Sequence, residues 1–503
     1  MAVVVSSLWP VSSPLSRTGL PHIIVIGVDS LRVDALERAR WRARIPNIRR
    51  FIDNGVHFSN SITPLARTYP SWMALLSGQG AERSGATINL RDPQRINRDD
   101  LLTHDLRGLG YRTYLAMDER RFSNIDETYG FDQVLGPDYG AADFLLGLVA
   151  DLPLVNVLGG TWVGRYLFPY LSGNRAVAHL YRPGHFSRRL EAHIGGLDAR
   201  RPTFYAVHFC IPHWPYYWAE SRFEPRDITT RWRGYHHFNL EQYEAALTEV
   251  DRQVGAFLQQ LDEAGFLDNA IVVLMSDHGD TFDSEDPALP RPVATDLLPG
   301  SWGGHGTNIF AEQQYRVVLG MQRFGGEGYP AGKVTQLASL IDLRPTLRHL
   351  LGQSGHAGLD GISLRPWLEG GEDVVPRRLK LESGFYLPAM ENFDQEAMLE
   401  QGISFYELTE DGRLQIRREM EREILRQRQR GVTDGRYVVG SIPDAQGRTR
   451  EWFVADWERD RLFPLGEGDE MLCDAACRML LEDQEALYAP PREAGAAVDR
   501  NPH

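Results

Sequence analysis

The sequence predicts an α/β protein: a three-layer α/β/α sandwich with a mostly parallel central sheet, followed by a small C-terminal α+β subdomain with an antiparallel sheet. Three observations predict it. HIIVIGV (22–28), TFYAVHFC (203–210) and NAIVVLMS (269–276) are continuous apolar runs rich in β-branched residues, the pattern of strands buried on both faces of a parallel sheet. Amphipathic helical segments alternate with such runs, which puts helices on both sides of the sheet. Beyond about residue 375 this alternation gives way to charged and turn-rich sequence. The chain therefore divides into a flexible lead-in (1–20), a main α/β domain (21–375) carrying an apolar insert (143–172), and a C-terminal subdomain (376–503).

The elements follow in order. The first buried strand, 22–28, ends at Asp29. IPNIRRFIDNG (45–55) reads as an amphipathic helix stopped by Gly55, and VHFSNSIT (56–63) as a strand. PLARTYPSWMALLSG (64–78) opens an apolar helix in which Pro70 suits the first turn. LLTHDLRGLG is helical and YRTYLAM a strand. The insert, 143–172, is apolar but broken by Asp151, Pro153, Gly159, Gly160, Arg165 and Pro169. It reads either as buried packing or a lid, or as a surface that meets lipid or an apolar substrate tail. LEQYEAALTEVDRQVGAFLQQLDEAG (240–265) is a long amphipathic helix closed by Gly265, and the strand 269–276 runs straight into Asp277-His278-Gly279-Asp280. YRVVLGM (315–321) is a further strand, and a helix is expected around VTQLASLIDLRPTLRHLLG. In the C-terminal part, 410–431 reads as a solvated helix, and RYVVGSIPDAQGRTREWFVADWERDRLFPL as strand, turn and strand.

Composition narrows the class. Of 503 residues, 42% are hydrophobic and 24% charged, ordinary for a soluble globular protein. The formal net charge of -14 argues against nonspecific nucleic-acid binding, yet leaves room for a local anion site. The three cysteines, Cys210, Cys473 and Cys477, are too few for a disulfide framework and read as core or surface thiols. No basic n-region precedes the short apolar start, and no apolar stretch reaches the ~18–20 residues of a membrane span. The expectation is a cytoplasmic protein, membrane-peripheral if the insert meets lipid.

Asp29 and Asp277-His278 both fall at carboxyl ends of predicted strands, where open α/β sheets bind ligands. Taken singly, Asp29 reads as a polar strand end, Asp277-His278 as a turn, and Thr68 as a helix N-cap. Taken together, two carboxylates, an imidazole and the Thr68 hydroxyl make a competent divalent-cation site. Coordination would lower the hydroxyl pKa, and a helix N-terminus favours anions. The set suits attack on a tetrahedral phosphorus or sulfur centre. His208, alone inside a strand, reads as a core residue. Arg67, Arg120 and Arg121 are candidates to neutralise substrate oxygens.

Five segments, in order, resemble the sulfatase-like branch of the alkaline phosphatase superfamily: IIVIGVDSLRVDAL, IPNIRRFIDNGVHFSNSIT, TYPSWMALLSG, EVDRQVGAFLQQLDEAGFLDNAIVVLMSDHGD and SWGGHGTNIFAEQQYRVVL. TYGFDQVLG (128–136) matches a weaker feature, and the resemblance covers roughly 22–350. It implies metal ligation by Asp29, Thr68, Asp277 and His278, with Thr68 where formylglycine sulfatases carry cysteine or serine. His213 then corresponds to a histidine that contacts substrate or leaving group. His305 corresponds to one that binds the transferred group or a second metal. The departures also carry information. Threonine cannot become the formylglycine aldehyde. Trp72 stands where the family has arginine, Ser30 where it has a second aspartate, and Ser84 where it has histidine.

The resemblance therefore points to threonine-nucleophile relatives, phosphodiesterases and transferases of phosphoglycerol or phosphoethanolamine. One divalent metal ion is expected, Zn or Mn ahead of Ca. The expected substrate is an anionic phosphoester, attacked by Thr68 to give a covalent threonyl intermediate. Two alternatives stand beside this: a sulfuric ester hydrolase that uses Thr68 directly, and a catalytically silent binding protein with the same fold.

Overall fold

A computed structural model describes residues 19–143, 153–221, 240–282, 291–292, 304–384 without 354 and 356, 404–444, 450–465, 477–478 and 480. The expected lead-in up to residue 18, the first part of the insert (144–152) and most of the PDAQG turn lie outside the described residues.

An eight-stranded sheet forms the centre. Its strands are β1 (His22–Val28), β2 (Val56–Phe58), β3 (Arg112–Met117), β4 (Gln133–Leu135), β5 (Thr203–Phe209), β6 (Ala270–Ser276), β7 (Leu319–Phe324) and β8 (Gly332–Val334). Their spatial order is β8-β2-β7-β6-β1-β5-β3-β4. β1 lies between β5 and β6, parallel to both, and all three are buried along their whole length. This is why their sequences are apolar on both faces rather than alternating. β7 is the exception in direction, antiparallel to β6 and to β2.

Helices cover both faces. α1 (Pro46–Asp53), α4 (Pro183–Gly195) and α5 (Leu240–Glu263) share one core with Ile24, Ile26 and Val28 of β1. α2 (Thr68–Ser77), α3 (Leu102–Gly108) and α6 (Leu343–Leu350) share the opposite core with Ile23 and Val25. Successive residues of one strand thus feed two cores, the three-layer arrangement the sequence predicts. α1 is started by a side chain from α5: Asp251 accepts from the backbone N–H of Asn47 and Ile48 at 2.9 and 2.8 Å.

Behind the main sheet, strands Leu379–Glu382, Arg430–Thr433, Tyr437–Pro443, Arg450–Asp456 and Arg461–Pro464 form the expected antiparallel C-terminal sheet in that order. A two-residue strand from the main domain, Arg291–Pro292, joins its edge in parallel. The sheet is packed onto the main body, because Val438, Phe453 and Ala455 belong to the same core as α2 and α6.

Several expected elements differ. VHFSNSIT splits into β2 and a two-residue strand, Ser61–Ile62. The strand expected at 315–321 begins at Leu319, after a turn of helix at Glu312–Tyr315. VTQLASL starts at the end of β8 and reaches α6 only at Leu343. The stretch 410–431 is not one helix. A hairpin strand, Leu414–Ile416, precedes α7 (Arg418–Arg426), whose Glu421 and Ile424 are buried. Cys477 is disulfide-bonded rather than a thiol, while Cys210 is a buried free thiol. Cys473 lies outside the described residues.

The described part of the insert forms three short helices, Pro153–Gly160, Trp162–Leu167 and Pro169–Gly173. Their large apolar side chains face outward: Trp162 is 74% exposed, Tyr166 82%, Leu167 60% and Phe168 58%. These side chains are not packed into the core; they form an apolar surface, compatible with a lid or with a face that meets an apolar partner. Among the described residues no helix is long and apolar enough to cross a membrane.

Candidate functional site

The three central strands end together, and each delivers a chemical group. Asp29 follows β1, Asp277 and His278 follow β6, and His208 occupies the penultimate position of β5, opposite Gly27. All four side chains are buried. His278 Nε2 lies 3.6 Å from Asp29 Oδ1 and 3.4 Å from Asp277 Oδ2. His208 Nε2 lies 3.4 Å from Asp29 Oδ2 and 3.6 Å from Asp277 Oδ2. Asp29 thus stands between two sets of groups, facing Asp277 and His278 with Oδ1 and His208 with Oδ2.

These residues fit a divalent cation. His278 Nδ1 lies 2.9 Å from the Gly279 carbonyl oxygen, which only accepts, so this nitrogen carries the proton and Nε2 presents a lone pair. That lone pair, His208 Nε2 and Asp277 Oδ2 are buried without a hydrogen-bond partner. Orphaned polar atoms at such depth are costly unless a further group satisfies them. Ligands about 2.1 Å from a shared cation at near-tetrahedral angles stand about 3.4 Å apart, the spacing seen here. Burial and the neighbouring Asp29 charge push Asp277 up to about 8. Burial also works against ionisation of Asp29, but His213 and then the contact with His208 outweigh it and hold this carboxyl low. Without a cation the pair retains a proton; a divalent ion would replace it.

Ser30, at the position of the missing second aspartate, has φ 56° in the left-handed region. This turn aims two donors at the ligands: its hydroxyl at Asp29 Oδ1, 3.0 Å, and its backbone N–H at Asp277 Oδ1, 3.2 Å. Tyr243 of α5 clamps the turn, accepting from Arg32 N and donating to Ser30 O. Cys210 and Asp29 also offer ligand atoms close to His208. Burial and then Asp118, however, push the Cys210 thiol well up, so it stays protonated.

Thr68 is the first residue of α2, and the N-cap position is Arg67, with no side-chain cap hydrogen bond. Thr68 is therefore not the N-cap that its position taken singly suggests, and its hydroxyl is not consumed in capping. α2 is fastened to the cluster at two places. Arg67 Nη1 lies 3.4 Å from His305 Nε2, and the His305 ring stacks on His278 with centroids 4.0 Å apart. One turn on, Trp72 stands edge-on to His208 at 5.5 Å. Thr68 and Trp72 are four residues apart and share a helical face. Trp72, fully buried, thus fills the place of the family arginine with an apolar wedge.

His305 and His213 complete the rim. His305 Nδ1 lies 3.4 Å from Asp280 Oδ1, and Asp280 is in turn bonded by Tyr216 Oη at 2.7 Å. Burial, then Arg67 and His213, hold His305 well below the usual histidine range, so it is neutral. The His213 ring lies 4.9 Å from that of His305. Its Nδ1 lies 2.6 Å from the Trp214 carbonyl oxygen, which leaves Nε2 as the accessible proton site. Arg175, just beyond the insert, donates to the His213 carbonyl oxygen at 2.8 Å.

The candidate arginines divide. Arg67 is at the site, whereas Arg120 bonds the Ile125 carbonyl and lies over Tyr139, and Arg121 is paired with Glu119. His208, expected in the core, is part of the cluster. Asp280 is a further residue the separate motifs do not single out. The Ser84 hydroxyl, in place of the family histidine, bonds within its own turn, donating to Ala81 O.

A mostly parallel sheet with buried carboxylates and imidazoles at its carboxyl edge is the plan of the alkaline phosphatase-like metalloenzymes. Within that class, the Sulfatase family model matches residues 21–353, and the chain belongs to this family, whose enzymes are metal-dependent hydrolases. A choline-sulfatase of Rhizobium meliloti (strain 1021) is 24% identical over 404 residues, spanning 71% of this chain and 73% of the relative. Arylsulfatase A of Bos taurus is 24% identical over 388 residues, spanning 72% and 71%. Among solved structures, a phosphonate monoester hydrolase from Silicibacter pomeroyi superposes with a TM-score of 0.56 at 18% identity, covering 93% of this chain and 94% of that one.

Proposed function

We propose that this sulfatase-family hydrolase acts on anionic phosphoesters, diesters foremost, with the Thr68 hydroxyl as nucleophile. The observation that carries the reading is the buried cluster of Asp29, Asp277 and His278, with His208 against the other oxygen of Asp29 and α2 anchored beside it through Arg67 and Trp72.

Asp29, Asp277 and His278 would hold a divalent ion, together with Thr68 and with His208 as an additional ligand. Mixed carboxylate and imidazole donors suit Zn or Mn better than Ca, which prefers an all-oxygen shell. When bound, the ion supplies positive charge that lowers the Thr68 pKa and offsets substrate charge. The chain's own residues do the rest. Thr68 Oγ1, its proton first lost to water, attacks phosphorus as the bond to the leaving oxygen breaks. Arg67, held by His305 and through it by Asp280, faces the substrate oxygens. His213, in its doubly protonated form with Nδ1 committed to Trp214, gives the Nε2 proton to the leaving oxygen and is left neutral. Water, or an acceptor alcohol in a transferase, then releases the threonyl ester. The exposed apolar insert, joined to the His213 loop through Arg175, supports a substrate with an apolar tail or one presented at a lipid surface.

A second reading, direct hydrolysis of sulfate esters by Thr68, is supported by the family and by the choline-sulfatase relative. Paired aryl phosphate monoester, phosphodiester and sulfate substrates separate the two. The expected result is turnover of the diester and a loss of at least about 1,000-fold in Thr68→Ala, the scale on which nucleophile removal acts. A strict sulfate preference overturns the phosphoester reading. Full activity of Thr68→Ala, correctly folded, overturns the threonine mechanism for both.

A further inference from the structure

Where α7 of the C-terminal part lies against the segment after α2, the two border an open, solvent-facing cavity of about 500 Å³ lined by seven arginines and a single glutamate. On a chain whose net charge is -14, such a concentration of positive charge requires an explanation. Arg418, Arg422 and Arg426 follow at intervals of four and form one stripe along α7. Like charges at that spacing repel one another and weaken the helix. The wall opposite is built, not incidental: buried Glu421 reaches across and binds both Arg91 and Arg95, fixing their guanidinium groups at the cavity. Arg91 Nε is itself buried without a partner. Arg418 is offset by Asp92 at 3.0 Å, and Arg430 lies 3.8 Å from Glu82. Arg422 and Arg426 have no acidic partner among the described residues and project into solvent at the cavity.

We propose that this cavity is a binding site for a polyvalent oxyanion, a single carrier with two or more phosphate or sulfate groups. Arginine is the residue for the task, since its planar fork meets two oxygens of such a group at once. The volume falls in the range of ligand sites, about 300–1,000 Å³, and is too large for one inorganic sulfate or phosphate. None of Asp29, His208, Asp277, His278 or Thr68 lines it, so the site is separate from the catalytic centre and does not depend on the reaction assigned there. It would hold a multiply charged molecule on the enzyme surface while one ester is processed elsewhere.

The test is calorimetric titration of the full chain near physiological ionic strength with three probes: sodium tripolyphosphate, a heparin-derived hexasaccharide and inorganic sulfate. The same titrations are run on Arg422→Ala/Arg426→Ala. Both residues are exposed, so the variant is expected to fold and to turn over a small aryl ester at the unchanged rate. The expected result is that at least one polyanion binds the native chain ten or more times tighter than sulfate does, and that the variant loses at least tenfold. Which polyanion binds tells a phosphate carrier from a sulfated one. If neither polyanion outcompetes sulfate, or if the variant binds as well as the native chain, the proposal is wrong; in the second case the polyanion sits at the catalytic centre.

Discussion

His208 illustrates how a single side chain changes meaning with its neighbours. In TFYAVHF it is one polar residue in an apolar run, and nothing local separates a ligand from a satisfied core histidine. Asp29, Asp277 and His278 are legible because each stands just past a strand end, where a polar residue has no core role. His208 has the same address, but one residue inside the strand. Only the register, which sets it opposite Gly27 and next to Asp29, shows that it joins them. If it holds the cation, His208→Gln lowers metal content in elemental analysis, with affinity falling roughly 10–100-fold or more, at least the scale of groups that support metal ligands. The fold should survive, because glutamine approximates the volume. Unchanged metal content would return His208 to the core. Gly279 is a steric requirement of the same site. A Cβ there would meet the Gln313 carbonyl oxygen at 2.0 Å, a backbone atom that cannot rotate away. Gly279→Ala is therefore expected to lower stability by about 1–3 kcal/mol and to shift His278, read as a lower urea midpoint together with reduced metal content.

Among the elements, those with an unambiguous period were legible: β1, β5, β6, α5 and the C-terminal hairpin all lie where the apolar pattern places them. The reversed direction of β7 was not, because an apolar strand reads the same parallel or antiparallel. The breakup of 410–431 was hidden by charge. Its arginines and glutamates resemble a solvated face, yet Glu421 is buried by the ion pairs it makes across the domain junction. β2 carries a proton-linked weakness. Burial, and then the charge of Lys333, lower His57 to about 4 from an ordinary 6.5. The unfolded chain therefore takes up the proton first as pH falls. Stability is unaffected above about 6.5 and is lost progressively from 6.5 toward 4. His57→Gln should flatten that part of the urea-midpoint profile relative to the native chain. Parallel profiles would show that His57 does not titrate as its burial implies. The insert poses a different test. Its aromatic residues are exposed, so Trp162→Ser/Tyr166→Ser/Phe168→Ser should leave thermal stability nearly unchanged. If the face meets lipid, the native chain floats with anionic vesicles and the triple variant partitions at least tenfold less, since each buried aromatic contributes about 1.5–3 kcal/mol. Equal flotation, or none, removes lipid from the account.

For the molecule as a whole, the sequence boundary near 375 marks a change of texture but not a separable unit. Val438, Phe453 and Ala455 sit in the same core as α2 and α6, and Trp457 Nε1 donates to the Phe310 carbonyl oxygen. The strand at Leu379–Glu382 runs on beside the segments that carry Arg67 and His305: Glu382 N donates to Pro64 O, and Gly384 N to Gly306 O. The C-terminal sheet thus braces the two loops that approach the cluster from outside, while β1, β5 and β6 supply it from beneath. A cation at the centre would tie all of these together. Its absence leaves two buried carboxylates sharing a proton and several polar atoms unsatisfied. Chelation should therefore destabilise the whole fold in one transition, not loosen a single loop. With free metal at about 100 times Kd, the holo form is expected to exceed the apo form by about 2.7 kcal/mol in urea unfolding, and by more as metal is raised. The same comparison on Asp277→Asn isolates the site. That variant replaces a carboxyl that is protonated in the apo form by a neutral amide, so its apo form should resemble the native apo form in stability, while metal adds little. A metal increment that survives in Asp277→Asn would mean that the ion stabilising the fold sits somewhere other than between β1, β5 and β6.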